Sequence, residues 1–312
     1  VLKNVRIFII LEASAPWVNE DYWVDCTTLK RWRKINMDQR VQQDIEAIIS
    51  HQYDHGADLW STPDHKLLKG APFTTLESPL YLLELGMSRE ENLLKETAAL
   101  IFQGWREDGR FKISPSGGIY PCHTALALRT LCALGYTRDQ RLQQTFHYFL
   151  ATQEADGGWK CNKYSFGRGP ETHFSTPMTT LTVLDAFRYT HDREQMETLK
   201  QASEFLLAHW EIRQPISPCH YGMGTLFMQT EYPFRGYNLF YYLYVLSFYP
   251  SARKDARFLE ALQQFESKVQ NGNVIVERVV PKLGKLNFCQ KGHISPFATQ
   301  RYQEILARLA ED

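Results

Sequence analysis

The sequence predicts an all-α protein, an α/α-toroid in which five to six helix pairs form an outer ring around an inner one. Three observations carry this. Apolar, nearly uncharged segments recur along all 312 residues; amphipathic stripes alternate with them; and Asp/Gly/Trp-containing loops join the two kinds. A fixed spacing between similar segments marks a repeat architecture, and one domain is expected to span residues 1–312.

Five segments share the apolar design: 72–86, 120–135, 174–188, 232–249 and 294–309. Their spacing of about 50–60 residues accommodates two helices and a loop. Gly86 and Gly135 close the first two, and Gly135-Tyr-Thr-Arg-Asp139 is echoed by Arg188-Tyr-Thr-His-Asp192. The segment 122–134 carries Arg129 as its one charge, so this helix is expected to be buried on most sides.

The intervening helices are one-faced. Leu142, Phe146, Phe149 and Leu150 fall at i, i+4, i+7 and i+8, and Phe258, Leu262, Phe265 and Val269 repeat the stripe. Asp139, Asp192 and Asp255 stand where N-caps belong. One-faced helices wrapped on nearly all-apolar ones give two layers, and closure into a ring removes the exposed ends of an open solenoid.

The loops carry their own pattern. Gln153-Glu-Ala-Asp-Gly-Gly-Trp-Lys-Cys161 follows a one-faced helix, with looser copies at 51–60, 104–111 and 269–274. The glycines allow the positive-φ turn that ends a helix, and the Trp fills the gap between neighbouring pairs.

Composition narrows the function classes. Lys plus Arg balances Asp plus Glu at 35 each, so no long-range field favours nucleic acid. The apolar run at 5–11 is too short to span a bilayer and lacks a signal-peptide cleavage pattern, and no later segment reaches 18 apolar residues. A cytoplasmic location with reduced cysteines is the expectation. Aromatics make up 13 % of the chain, which suits a large core or an apolar ligand cavity.

The Gln…Asp-Gly-Gly-Trp loop after a helix resembles the repeat of protein prenyltransferase β subunits and squalene–hopene cyclases, the terpenoid-cyclase fold. The resemblance covers about residues 17–309. It is closer still to prokaryotic prenyltransferase-like toroid proteins of unassigned function, through His209-Trp-Glu-Ile-Arg213, Tyr221-Gly-Met-Gly224, Tyr232-Pro-Phe234, Gln290-Lys-Gly-His-Ile-Ser-Pro296 and Gly157-Gly-Trp-Lys-Cys161. Two departures limit what it implies. No Asp-x-Asp-Asp run supplies the cyclase acid, and Tyr120 stands where a prenyltransferase zinc site has its Asp. No Lys/Arg cluster for a diphosphate gathers at any one entry to an apolar helix.

Cys122, Cys161 and His173 are the candidate metal ligands. Each lies at an end of a helix or loop that stacking would bring to one rim, and the resemblance implies ligand capacity at all three places. Two thiolates and an imidazole suit Zn2+ and leave a fourth position, for which His123 and His220 stand nearest. Packing offers the plainer account, with both cysteines as small buried apolar side chains. Cys219-His220 repeats the dipeptide Cys122-His123, although neighbouring helical residues diverge too far to chelate one ion.

Glu77, His123, Tyr237 and Tyr241 are the candidate catalytic or pocket-lining residues. A buried Glu77 has a raised pKa and can act as an acid, or it simply bonds Thr74 or Tyr81. The aromatic run Tyr232, Phe234, Tyr237, Phe240, Tyr241, Tyr242 and Tyr244 can face a cavity, stabilise cationic intermediates, or pack. Arg235 is expected to pair with Glu231 or an anionic head group. The mixed cluster His51, Asp54, His55, Asp58, Asp64 and His65 matches no defined motif.

Two main functions remain open, besides a degenerate cyclase relative that keeps the ring and lacks the acid. One is a Zn2+-dependent enzyme acting on a hydrophobic, isoprenoid-like or thiol-reactive small molecule. The other is a non-catalytic toroid that binds a ligand or partner, with a structural zinc or none.

Overall fold

The computed structural model describes residues 26–190 and 197–310, with side chains from residue 38 onward. The chain divides into two compact units, Val1–Gln39 and Arg40–Asp312, and the ring is built from the second. The apolar run at 5–11 and Asp192 lie outside the described residues. Among those described, backbone pairing is limited to isolated bridges, and the elements are helical.

Among the described residues twelve α-helices occur in order: α1 (Cys26–Ser50), α2 (Ser78–Glu84), α3 (Asn92–Gln103), α4 (Pro121–Ala133), α5 (Gln140–Ala151), α6 (Pro177–Phe187), α7 (Glu197–Ile212), α8 (Thr225–Met228), α9 (Leu239–Leu246), α10 (Pro250–Arg253), α11 (Ala256–Glu266) and α12 (Pro296–Ala310). Every apolar segment of the sequence contains one of the inner helices α2, α4, α6, α9 and α12. All of α9 is buried, as is all of α6 except Met178. The outer α5 buries only Leu142, Thr145, Phe146 and Phe149.

The inner helices pack in succession, α2 on α4, α4 on α6, α6 on α9 and α9 on α12. The series then closes. Arg301 of α12 grips Glu84 of α2 through Nε at 2.9 Å and Nη2 at 2.8 Å, across 217 residues of chain. Asp44 of α1 accepts from the Asn287 and Phe288 amides at 2.8 and 2.9 Å, which anchors the last connection to the first helix. The architecture is therefore an α/α-toroid of five helix pairs among the described residues.

Local chemistry explains where the helices begin. Asp139 and Asp255 cap α5 and α11 by accepting from the amides two residues on, at 2.9 and 2.8 Å. Prolines open α4, α6 and α12, where a missing N–H costs nothing. The fourth residue of each of these helices is a threonine whose Oγ1 accepts from the incoming loop. Phe111 N–H reaches Thr124 at 3.1 Å, Trp159 N–H reaches Thr180 at 3.1 Å, and Val274 N–H reaches Thr299 at 3.0 Å.

The Asp-Gly-Gly-Trp loop performs three tasks. Asp156 accepts from the Ser175 amide at 2.7 Å and its hydroxyl at 2.6 Å, holding the entry to α6. Trp159 is buried, and its Nε1 donates to the Phe149 carbonyl at 2.9 Å. Gly157 adopts φ +88°, and a Cβ there would lie 2.5 Å from the Gln201 carbonyl oxygen of α7. Only glycine permits both that backbone and that approach.

Candidate functional site

The ring carries a cavity of about 310 Å³ at the N-terminal ends of its inner helices. Four of the candidate metal or catalytic residues line it: Glu77, Cys122, His123 and Cys161. Cys219, Tyr221 and Arg235 join them, and Leu68, Leu126 and Met178 supply apolar wall.

Cys122 is the second residue of α4, and Cys161 follows the Trp159 turn with its amide held by Thr176 Oγ1 at 2.9 Å. Their sulfurs stand 3.0 Å apart, close enough to share one proton. Cys219 brings a third thiol, its Sγ lying 3.2 Å from the Cys161 carbonyl oxygen. The hydrogen bond with Cys122 holds the Cys161 thiol below its ordinary range, against the effect of burial. Cys122 is pushed the other way, first by the same bond and then by burial. The pair therefore favours one thiolate, at Cys161, with the proton kept on Cys122.

His123 is 7 % exposed, and neither ring nitrogen has a hydrogen-bond partner. Burial, with a smaller effect of Lys163, lowers its pKa to about 4, so the ring is neutral at pH 7 and offers one donor and one acceptor. Tyr120 holds the ring edge-on, with centroids 5.3 Å apart. A partnerless imidazole on a cavity wall is a group that a bound molecule would satisfy.

Glu77 is not inside a helix: it immediately precedes α2. Its Oε2 accepts from Thr74 Oγ1 at 3.2 Å, and its Oε1 accepts from Arg235 Nε at 2.7 Å. The expected Arg235–Glu231 pair is thus replaced. Glu231 faces Arg278 instead, at 3.6 Å, because the chain returns Arg235 to the ring mouth beside α2. Paired with a guanidinium, Glu77 serves as a fixed ion pair at the cavity edge.

Tyr237 and Tyr241 are buried and do not line this cavity. Tyr237 shares a hydrogen bond with His209 Nδ1 at 2.9 Å. Tyr241 donates to Asp185 at 2.6 Å and accepts from Arg129 at 2.9 Å, so its hydroxyl is fully engaged. The aromatic run largely packs on itself, with Phe234 stacked on Tyr241 at 5.2 Å.

The metal expectation meets a partial arrangement. His173 ends a short 3-10 turn (Pro170–His173) and is exposed, as is His220. Among the described residues, no group of three or more His, Cys, Asp or Glu side chains is arranged to hold an ion. Two sulfurs on one tetrahedral zinc stand about 3.8 Å apart, given Zn–S bonds of about 2.3 Å. The pair as placed is tighter than that and has no third donor aligned, so these side chains do not fit a zinc site without movement. The loop cluster at 51–65 bonds within itself, through His51–Asp54 at 2.7 Å and Thr62–Asp64 at 2.6 Å.

Sequence reasoning placed the thiol pair but treated Cys219 as a weak, separate feature. The structure joins it to the pair because its loop folds back over Cys161 and Tyr164.

No protein-family model matches the chain, and no curated protein matches it. Solved structures of a type II terpene cyclase, MstE from Scytonema, are similar. An arginine variant in complex with geranylgeranyl dihydroxybenzoate aligns at 14 % identity and TM-score 0.45, covering 89 % of this chain and 99 % of that one. An aspartate variant in complex with merosterolic acid A aligns at 12 % and 0.43, covering 89 % and 82 %. An apo tyrosine variant aligns at 14 % and 0.41, covering 89 % and 99 %. At such scores the site stands on its own geometry.

Proposed function

We propose that the ring binds an apolar, isoprenoid-like small molecule with a thiol-reactive carbon in the thiol-lined cavity, and that Cys161 attacks that carbon. The observation that supports this is the meeting of the 3.0 Å Cys122–Cys161 pair with the partnerless His123 ring on one cavity with apolar walls. The Cys161 thiolate supplies the electron pair for a new S–C bond. In addition to an activated alkene, the carbanion formed takes a proton, for which the Cys122 thiol is the nearby source. Neutral His123 orients the polar end of the molecule by donating or accepting.

The test compares maleimides with ethyl and octyl tails, reading adducts by peptide mass spectrometry and correcting for the rate with a free thiol. The proposal expects the octyl reagent to modify Cys161 or Cys122 at least tenfold faster than the ethyl one. Equal corrected rates would defeat it. Binding of the octyl chain with no preferred adduct would favour the non-catalytic toroid.

Zinc is the second reading, favoured by the same thiol pair together with Cys219. It requires the sulfurs to spread and Cys219 or His173 to turn inward. Metal analysis of the purified protein beside Cys161→Ser and His173→Ala decides it.

A further inference from the structure

We propose that a second cavity, at the C-terminal ends of the inner helices, binds a small oxyanion, a carboxylate or phosphate group. This space of about 290 Å³ is walled by residues of α2, α4, α6, α9 and α12, by Arg89, Arg188 and Tyr189 just past α2 and α6, and by the segment 232–234 ahead of α9. Among its described lining residues are four arginines, Arg89, Arg129, Arg188 and Arg301, against two carboxylates, Glu84 and Asp185.

The imbalance is concentrated on Asp185. This one carboxylate faces Arg129 Nε at 3.5 Å and also takes a short bond from Arg188 Nε. Arg129 is only 6 % exposed. Two guanidiniums sharing one carboxylate in a buried setting leave a surplus positive charge, which is costly without a counter-charge. Arg301 is matched by Glu84, and Glu304, which it also meets at 2.6 Å, faces Arg308 at 3.5 Å, so this neighbouring group is balanced and leaves no carboxylate to offset the excess. Arg89 is exposed at the cavity edge and has no ion-pair partner among the described residues.

An independent observation points to the same place. Tyr81 lines the cavity and is 3 % exposed, yet its hydroxyl has no hydrogen-bond partner. Burial, with the Glu77 carboxylate nearby, keeps that hydroxyl protonated and therefore a donor. A buried hydroxyl left unpaired is destabilising, and an accepting oxygen in the cavity would recover that loss. Guanidinium forks match the geometry of carboxylate and phosphate oxygens, and charge-assisted bonds of this kind are the strong ones. The site is distinct from the thiol cavity, which lies toward the opposite ends of the same helices.

The experiment is thermal denaturation of the whole chain with inorganic phosphate or benzoate, against chloride at matched ionic strength. A ligand that binds only the folded state raises the midpoint progressively once its concentration passes Kd. The proposal expects such a rise with at least one anion. A response to phosphate alone assigns a phosphate-bearing ligand, and a response to benzoate alone assigns a carboxylate. Arg89→Ala and Tyr81→Phe, which preserve exposure and shape respectively, are each expected to weaken binding roughly tenfold. A rise no larger than that with chloride, or one unchanged in both variants, overturns the proposal.

Discussion

Asp185→Asn removes a carboxylate that joins three inner helices. Asp185 lies on α6 and meets Arg129 of α4, Arg188 just past α6 and Tyr241 of α9. Burial raises the pKa of such a group, yet Arg188 and Arg129 outweigh burial and hold Asp185 below the carboxylate range. It is therefore charged at pH 7, and the amide would strand two guanidiniums. Breaking a buried pair from one side costs about 3–5 kcal/mol. Spread over roughly 270 residues at about 2.1 cal/mol/K each, that corresponds to a fall in Tm of about 5–9 °C. Thermal unfolding by circular dichroism measures it. The double variant Asp185→Asn with Arg129→Met should recover part of the loss, since it removes one stranded charge. A fall below about 1 °C in the single variant, or purely additive losses in the double, would refute the claim that this cluster fastens the ring.

Three further outcomes follow from the same geometry. His123 and His209 are each lowered by burial to about 4, from an unfolded value near 6.5. Because the unfolded chain binds protons first, stability is complete above about pH 6.5 and falls toward pH 4, by roughly 3 kcal/mol per histidine, as urea midpoints across that range should record. Gly157→Ala meets both a positive φ and the Gln201 carbonyl, and should lower stability by about 2–4 kcal/mol in urea denaturation with an unchanged m value. With iodoacetamide at pH 7, Cys161 should react well ahead of Cys132, whose thiol burial pushes up to about 12, and the advantage should shrink in Cys122→Ser.

Much of the fold was legible because the ring repeats itself. The contrast between segments such as 120–135 and the stripe at Leu142, Phe146 and Phe149 separates inner from outer helices, and Asp139 and Asp255 mark true caps. One signal present in the sequence went unused. Pro121-Cys-His-Thr124, Pro177-Met-Thr-Thr180 and Pro296-Phe-Ala-Thr299 share a spacing that stitches each loop to its helix. The meeting of Cys122 with Cys161 follows from stacking neighbouring units, so it could be read from the repeat. Glu77–Arg235 and Glu84–Arg301 could not, because they join residues 158 and 217 positions apart across the ring. The arginine-rich cavity was hidden for the same reason: Arg89, Arg129, Arg188 and Arg301 come from four separate segments, and no local window contains two of these arginines.

The most direct test of the thiol-lined rim is mild oxidation of the intact protein with diamide, followed by peptide mapping under non-reducing conditions. Two thiols yield one disulfide while the diazene is reduced to the hydrazine. Among the described cysteines, the account predicts an intramolecular link from Cys161 to Cys122, with Cys219 as the competitor and Cys132 and Cys289 left reduced. A link through Cys132 or Cys289, or no intramolecular link involving Cys161, would contradict it.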